Sequence, residues 1–171
     1  MDLLKKATAS ILLALLFTPW LSAAPREYEI KAAFIYNFLR YIEWPTPRNA
    51  FTVGILGSDP FEGGLDQFQA KPLGGKNITV KAVKTAKDAK GCDVVFISQS
   101  ESAQLDSLLA SLKGAPVLTI SDMASFVDKG GQIGFTTERN RVRFIVNTDA
   151  LQQCDLKASS NLLKLAIVKG S

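Results

Sequence analysis

Residues 92–98 read CDVVFIS, four consecutive large apolar side chains held between Asp93 and Ser98. A strand that wets one face alternates polar and apolar residues. A short unbroken apolar run instead predicts a strand covered on both faces, as in a parallel sheet. Working outward, PVLTISD at 116–122 repeats the pattern. Between the two, SESAQLDSLLASLKG carries Leu105, Leu108, Leu109 and Leu112 at helical spacing, with a serine cap ahead and Gly114 as a stop. Strand, helix, strand is the repeating unit of a parallel sheet.

The flanks extend the alternation. Upstream, FTVGILG at 51–57 and NITVKAV at 77–83 read as strands. They are separated by SDPFEGGLDQF, a turn leading to a weak helix broken by Gly63 and Gly64. Downstream, MASFVDKG reads as a short helix, and GQIGFTTE and RVRFIVNT face each other across Arg139-Asn140 as a β-hairpin. DALQQCD and SSNLLKLAIVKG close the chain as helices, the second with an N-cap serine. The expected architecture is a three-layer α/β/α sandwich whose mostly parallel sheet carries a late antiparallel hairpin at one edge. No repeat or linker interrupts residues 25–171, so they are expected to form a single domain.

Ahead of the first strand lies EYEIKAAFIYNFLRYIEWP, residues 27–45. Ile30, Phe34, Phe38 and Ile42 recur every four residues, with Ala33, Ile35 and Leu39 widening the stripe. That predicts an amphipathic helix stopped by Pro45 and Pro47. Before it, residues 1–24 show Lys5 and Lys6, an apolar run over 11–17 and then small residues. This is the three-part layout of a cleaved secretory signal, with an apolar run shorter than the roughly 20 residues of a membrane span. Removing it leaves 147 of 171 residues and lowers the net charge from +4 to +3, because Lys5, Lys6 and Asp2 depart. The signal implies export from the cytoplasm.

Composition then excludes chemistry. There is no histidine, which removes histidine triads, the usual neutral-pH base and the commonest metal ligand. Two cysteines without histidine do not make a zinc site, so neither metal nor cofactor is expected. The positive residues read as scattered, and RNRVR at 139–143 fits a hairpin turn and its exposed face, so no nucleic-acid partner is expected. SDPFEGGL has the wrong glycine spacing for a dinucleotide site and lacks the GK[ST] of a phosphate loop. Asp59 and Asp122 each end a strand, where two carboxylates might share acid and base work, but each also stands where an N-cap would precede a helix. No GxSxG elbow activates a serine. The chain is expected not to be an enzyme.

Cys92 and Cys154 survive signal removal into an oxidising compartment. A bond between them would close a long loop and stabilise the fold by about 4 kcal/mol on the chain-entropy model. Unpaired, Cys92 at the start of a buried strand is an inert core residue and Cys154, among polar neighbours, the accessible one. Spacing alone leaves both open.

The stretches EYEIKAAFIYNFLRYIEWP, GILGSDPF, CDVVFIS, LTISDMASFVDKGGQIGF, NRVRFIVNTDAL and LKASSNLLKLAIV, in that order, resemble the YfiR/HmsC-like family of exported bacterial proteins. The resemblance implies a non-enzymatic periplasmic repressor. Such a protein binds the sensor domain of an inner-membrane diguanylate cyclase and keeps cyclic-di-GMP and biofilm low. An outer-membrane protein that sequesters the repressor is a further implied partner, and a homodimer a further expectation. The runner-up is a periplasmic small-ligand binding module feeding another membrane sensor. Better-known members of the family carry a first-strand cysteine that pairs with the one matching Cys92. Here Gly54 stands in that place, so that bridge cannot form.

A repressor needs surface more than reactive groups. Tyr36, Tyr41 and Trp44 lie off or at the edge of the helical stripe and are candidate partner anchors, with a buried rim of the core as the alternative reading. Leu156 and Leu163, in the last helical stretch, mark a second candidate surface.

Overall fold

A computed structural model describes residues 24–170. The signal expected over residues 1–24 therefore lies outside the described residues but for Ala24, where α1 (Ala24–Tyr41) begins. After β1 (Ile42–Glu43) come β2 (Ala50–Leu56) and a 3-10 turn at Asp66–Phe68. Next are β3 (Asn77–Val83), α2 (Ala86–Ala89), β4 (Val94–Ile97), a 3-10 stretch at Gln99–Gln104 and α3 (Leu105–Leu112). β5 (Leu118–Ser121), β6 (Ile133–Glu138), β7 (Arg141–Asn147) and α4 (Thr148–Gln152) follow, and β8 (Lys157–Ala158), α5 (Ser160–Leu163) and β9 (Ile167–Lys169) end the chain.

Seven strands form one sheet in the order β3-β2-β4-β5-β6-β7-β9. Every neighbouring pair is parallel except the hairpin β6–β7. β1 and β8 form a separate antiparallel pair. The unbroken apolar run of β4 is explained by its place in the sheet. Val94 and Phe96 enter one core, Val95 and Ile97 the other, and all four are buried. The two cores differ in kind. One face, under α1, α4, α5 and the 57–68 loop, holds seven buried phenylalanines among its aliphatic residues, with Phe38, Phe96 and Phe144 enclosed. The opposite face, under α2, α3 and the 122–131 turns, is mostly aliphatic.

Three local readings are corrected, and the hairpin turn is borne out. In α1 the buried positions are Lys31, Ala32, Ile35, Phe38 and Leu39, so the stripe is turned relative to expectation and Ile30 is 41% exposed. The turn lets the Lys31 ammonium reach Asp122 at 2.8 Å. Residues 123–130 fold as successive turns rather than a helix. The last stretch keeps its expected cap, Ser159 Oγ accepting from Leu162 N, but the helix ends after one turn. The β-branched pair Ile167-Val168 then extends as β9, parallel to β7 with Ile145 opposite Ile167, and lies outside the hairpin as the last strand. Finally, Arg139 and Asn140 have φ of 49° and 60°, the double left-handed geometry of a type I′ turn, although neither is glycine.

Candidate functional site

In parallel sheets of this kind, ligands gather where the loops of adjacent strands depart to opposite faces. Here that place is the C-terminal end of β2 and β4. The loop after β2 carries Phe61 and Leu65 into the phenylalanine core, while α3 after β4 packs on the other face. Part of the crevice is occupied by the chain itself. Gly57 adopts φ +92°, and a Cβ there would stand 2.3 Å from Ser100 Oγ and 2.8 Å from Glu101 Oε1. Ser58 N donates to Ser100 Oγ at 3.0 Å, and Ser100 Oγ donates to Glu101 Oε1 at 3.2 Å.

The two strand-end carboxylates are engaged separately. Asp59 accepts from the backbone N of Phe61 at 2.8 Å and of Gly63 at 3.0 Å, so it organises its own turn. Asp122 Oδ2 receives Lys31 Nζ and the Tyr28 hydroxyl, each at 2.8 Å. Lys31 also pairs with Glu27 at 2.7 Å and lies 4.2 Å from the centre of the Tyr28 ring. Burial, and then the hydrogen bond to Asp122, push the Tyr28 phenol well above its ordinary range. Tyr28 in turn meets Phe61 edge-on at 5.4 Å, which ties the start of α1 to the loop after β2. The network clamps the N-terminal half of α1 onto the sheet, and both carboxylates are committed to structural partners.

The opposite end of the sheet is open. Below α1, a groove of about 550 Å³ is lined by Tyr36, Arg40, Trp44, Arg48, Phe51 and Lys76 among others. Trp44 rests against Phe51 at 5.3 Å, Tyr36 against Phe68 at 5.0 Å, and Lys76 Nζ lies 5.7 Å from the Phe51 ring. From behind the lining, Asp93 holds Arg48 in place. Its carboxylate accepts from Thr52 N at 2.8 Å and lies 2.8 Å from Arg48 Nε, an ion pair without an aligned hydrogen bond. Trp44 Nε1 is enclosed with no acceptor among the described residues. No carboxylate lines this groove, and neither Arg40 nor Lys76 forms an ion pair among the described residues. A second hollow of about 540 Å³ shares Tyr36 and continues along α1 toward Glu29.

Of the residues singled out from sequence, the structure brings Tyr36 and Trp44 together in this groove, both half-buried. Tyr41 is half-buried too, packed against the phenylalanine core with Arg40 at 5.8 Å from its ring. Leu156 is 2% exposed and belongs to the core, so it presents no contact surface. Leu163 is half-buried against the same core. Arg40, Arg48 and Lys76 went unnoticed in the sequence because they come from three separate segments. They share no local sign: Arg40 stands beside Tyr41 and Lys76 follows Gly74-Gly75, while Arg48 lies between Pro47 and Asn49.

The cysteines are both free and both buried. The bond considered between them does not form, since Cys92 lies in the aliphatic core and Cys154 in the phenylalanine core, with the sheet between. Nor is Cys154 the accessible one, at 5% exposure. Burial pushes the Cys92 thiol up, away from the reactive thiolate. A Cβ at Gly54 would stand 2.9 Å from Cys92 Sγ. That is about the separation a disulfide imposes between a sulfur and the Cβ across the bond.

Among the described residues no helix is long and apolar enough to cross a membrane, and no cluster of metal-ligating side chains occurs. A family profile described as YfiR/HmsC-like matches residues 28–167. Among solved structures, a conserved domain protein from Vibrio cholerae aligns with a TM-score of 0.59 and 12% identity, over 84% of this chain and 60% of that one. An ABC domain from Streptococcus pneumoniae, solved in complex with L-Trp, aligns at 0.56 and 12% identity, over 83% and 60%. At these identities the likeness is one of fold, and the chain spans 60% of the length of either neighbour.

Proposed function

The chain belongs to the YfiR/HmsC-like family, and we propose that it serves as a periplasmic repressor that binds the sensor domain of an inner-membrane diguanylate cyclase. The family is a regulatory, non-catalytic group of periplasmic proteins. Holding the sensor domain keeps cyclic-di-GMP synthesis, and with it biofilm, low. An outer-membrane protein that withdraws the repressor would complete the circuit.

The observation that carries this reading is the contrast between a partly occupied crevice and an open groove. Gly57, Ser100 and Glu101 occupy the place where a small ligand would enter such a sheet, which weighs against a ligand-binding module. The groove beside Trp44 offers half-buried aromatics and unpaired cations, the residue types that anchor protein interfaces. Tyr36 and Trp44 are the anchors in this reading, and Arg40 and Lys76 choose an acidic counterpart by charge.

Deleting the gene is the direct test. Cyclic-di-GMP and biofilm rise in the deletion strain and return to normal when the chain is supplied in trans with its export signal. Unchanged levels under every growth condition would overturn the proposal.

A further inference from the structure

The two edges of the sheet are unequal. β9 ends one side with the three residues Ile167–Lys169. β3 ends the other with seven, Asn77–Val83, each in register with β2 from Ala50↔Asn77 to Leu56↔Val83 and with no bulge. A strand directs alternate backbone N–H and C=O groups to its two sides. Those on the outer side of β3 have no hydrogen-bond partner among the described residues. Asn77, Thr79, Lys81 and Ala82 are exposed along it. Left bare, such an edge is a template for another strand.

The same edge concentrates the charge of the molecule. Residues 70–90 hold six lysines and one aspartate, a sum of +5 against +4 for the whole chain, so the remainder sums to −1. Although 14 of the 20 lysines and arginines lie elsewhere, acids offset them there, so the net positive charge is carried by a segment that contains β3. None of the lysines in that segment forms an ion pair among the described residues. Lysines are also a common guard against edge-to-edge pairing with a second copy, since two such edges repel. What discourages a like-charged strand attracts an acidic one.

We propose that the β3 edge takes up an extended, acidic segment of a partner protein as an eighth strand. This rests on the reading above that the chain acts by binding a protein. The backbone of Asn77–Val83 supplies the hydrogen bonds, Lys76, Lys81 and Lys84 supply the preference for carboxylates, and the groove that begins at Lys76 receives a side chain from the end of the added strand.

Hydrogen exchange on the purified chain tests it. The probe is a synthetic peptide alternating Glu and Val and long enough to span β3, and its counterpart has Lys in place of Glu. The acidic peptide slows exchange at residues 77–83 by at least about tenfold, and the lysine peptide does not. The charge-neutral variant Lys81→Gln/Lys84→Gln loses most of the protection while melting at the wild-type temperature. No protection at residues 77–83, or equal protection by both peptides, overturns the proposal. A cyclase sensor domain run in parallel separates the two readings. If it binds wild type and the double variant equally, the edge proposal falls and the repressor reading stands. If it does not bind while the acidic peptide still protects β3, the edge proposal stands and the cyclase reading falls.

Discussion

The two ends of the sheet are built on opposite plans. At the C-terminal end of the strands the charged and polar side chains described above have internal partners. Lys31, Tyr28 and Asp122 satisfy one another, Asp59 serves its own turn, and Ser100 and Glu101 close over Gly57. At the N-terminal end the aromatics of the groove are half-buried, Trp44 Nε1 lacks an acceptor, and Arg40 and Lys76 lack acids among the described residues. The fold thus spends polar chemistry holding itself together at the end where such sheets usually bind ligands, and the recognition proposed above falls to the other. Variants at the first end should change stability, and variants at the second should change affinity.

The largest effect is expected at Lys31. Truncating one partner of a buried ion pair strands the other, and Lys31→Ala should cost about 3–5 kcal/mol in urea unfolding. The compensated pair Lys31→Met/Asp122→Leu should recover most of that loss. Failure of the single variant to destabilise would mean the clamp is not structural.

Next in size is a gain. Gly54→Cys should form a bond with Cys92 in air and raise stability by up to about 4 kcal/mol, an effect that dithiothreitol abolishes. Because the bond lies in the aliphatic core, away from the groove, partner affinity should not move. A change in affinity would show that the two ends are coupled.

At the open end, Trp44→Ala should weaken partner binding by about 2 kcal/mol, roughly thirtyfold, measured by calorimetry. Arg40→Glu should act chiefly on the association rate, and more at low salt than at high.

The smallest effect is a pH dependence. Tyr28 is an acid whose folded-state pKa is raised, so its contribution is fully present below its unfolded pKa of about 10 and is lost as pH rises above it. Wild type should lose stability between pH 9 and 11 faster than Tyr28→Phe, with about 1.4 kcal/mol per pH unit as the ceiling for one group. Parallel curves would remove the tyrosine from the clamp.

What could be read in the sequence was whatever depends on near neighbours. The buried run of β4, the hairpin across Arg139-Asn140 and the Ser159 cap are local patterns, and each appears in the fold. What escaped depends on distant pairing. Lys31 breaks the apolar stripe of α1, and only Asp122, 91 positions away, explains why it is buried. Ile167–Lys169 lacks the length to declare itself a strand, and becomes one only because β7 lies beside it. The groove assembles α1, the loop after it and the turn before β3, so its cations share no spacing in the sequence.

The most direct test is calorimetry of the purified chain against the periplasmic sensor domain of a diguanylate cyclase from the same cell, with wild type, Trp44→Ala and Gly54→Cys side by side. The account predicts saturable binding by wild type, unchanged binding by oxidised Gly54→Cys, and at least about tenfold weaker binding by Trp44→Ala at a temperature where circular dichroism shows that variant still folded. Equal affinity for all three would contradict the groove, and no binding by wild type would contradict the repressor itself.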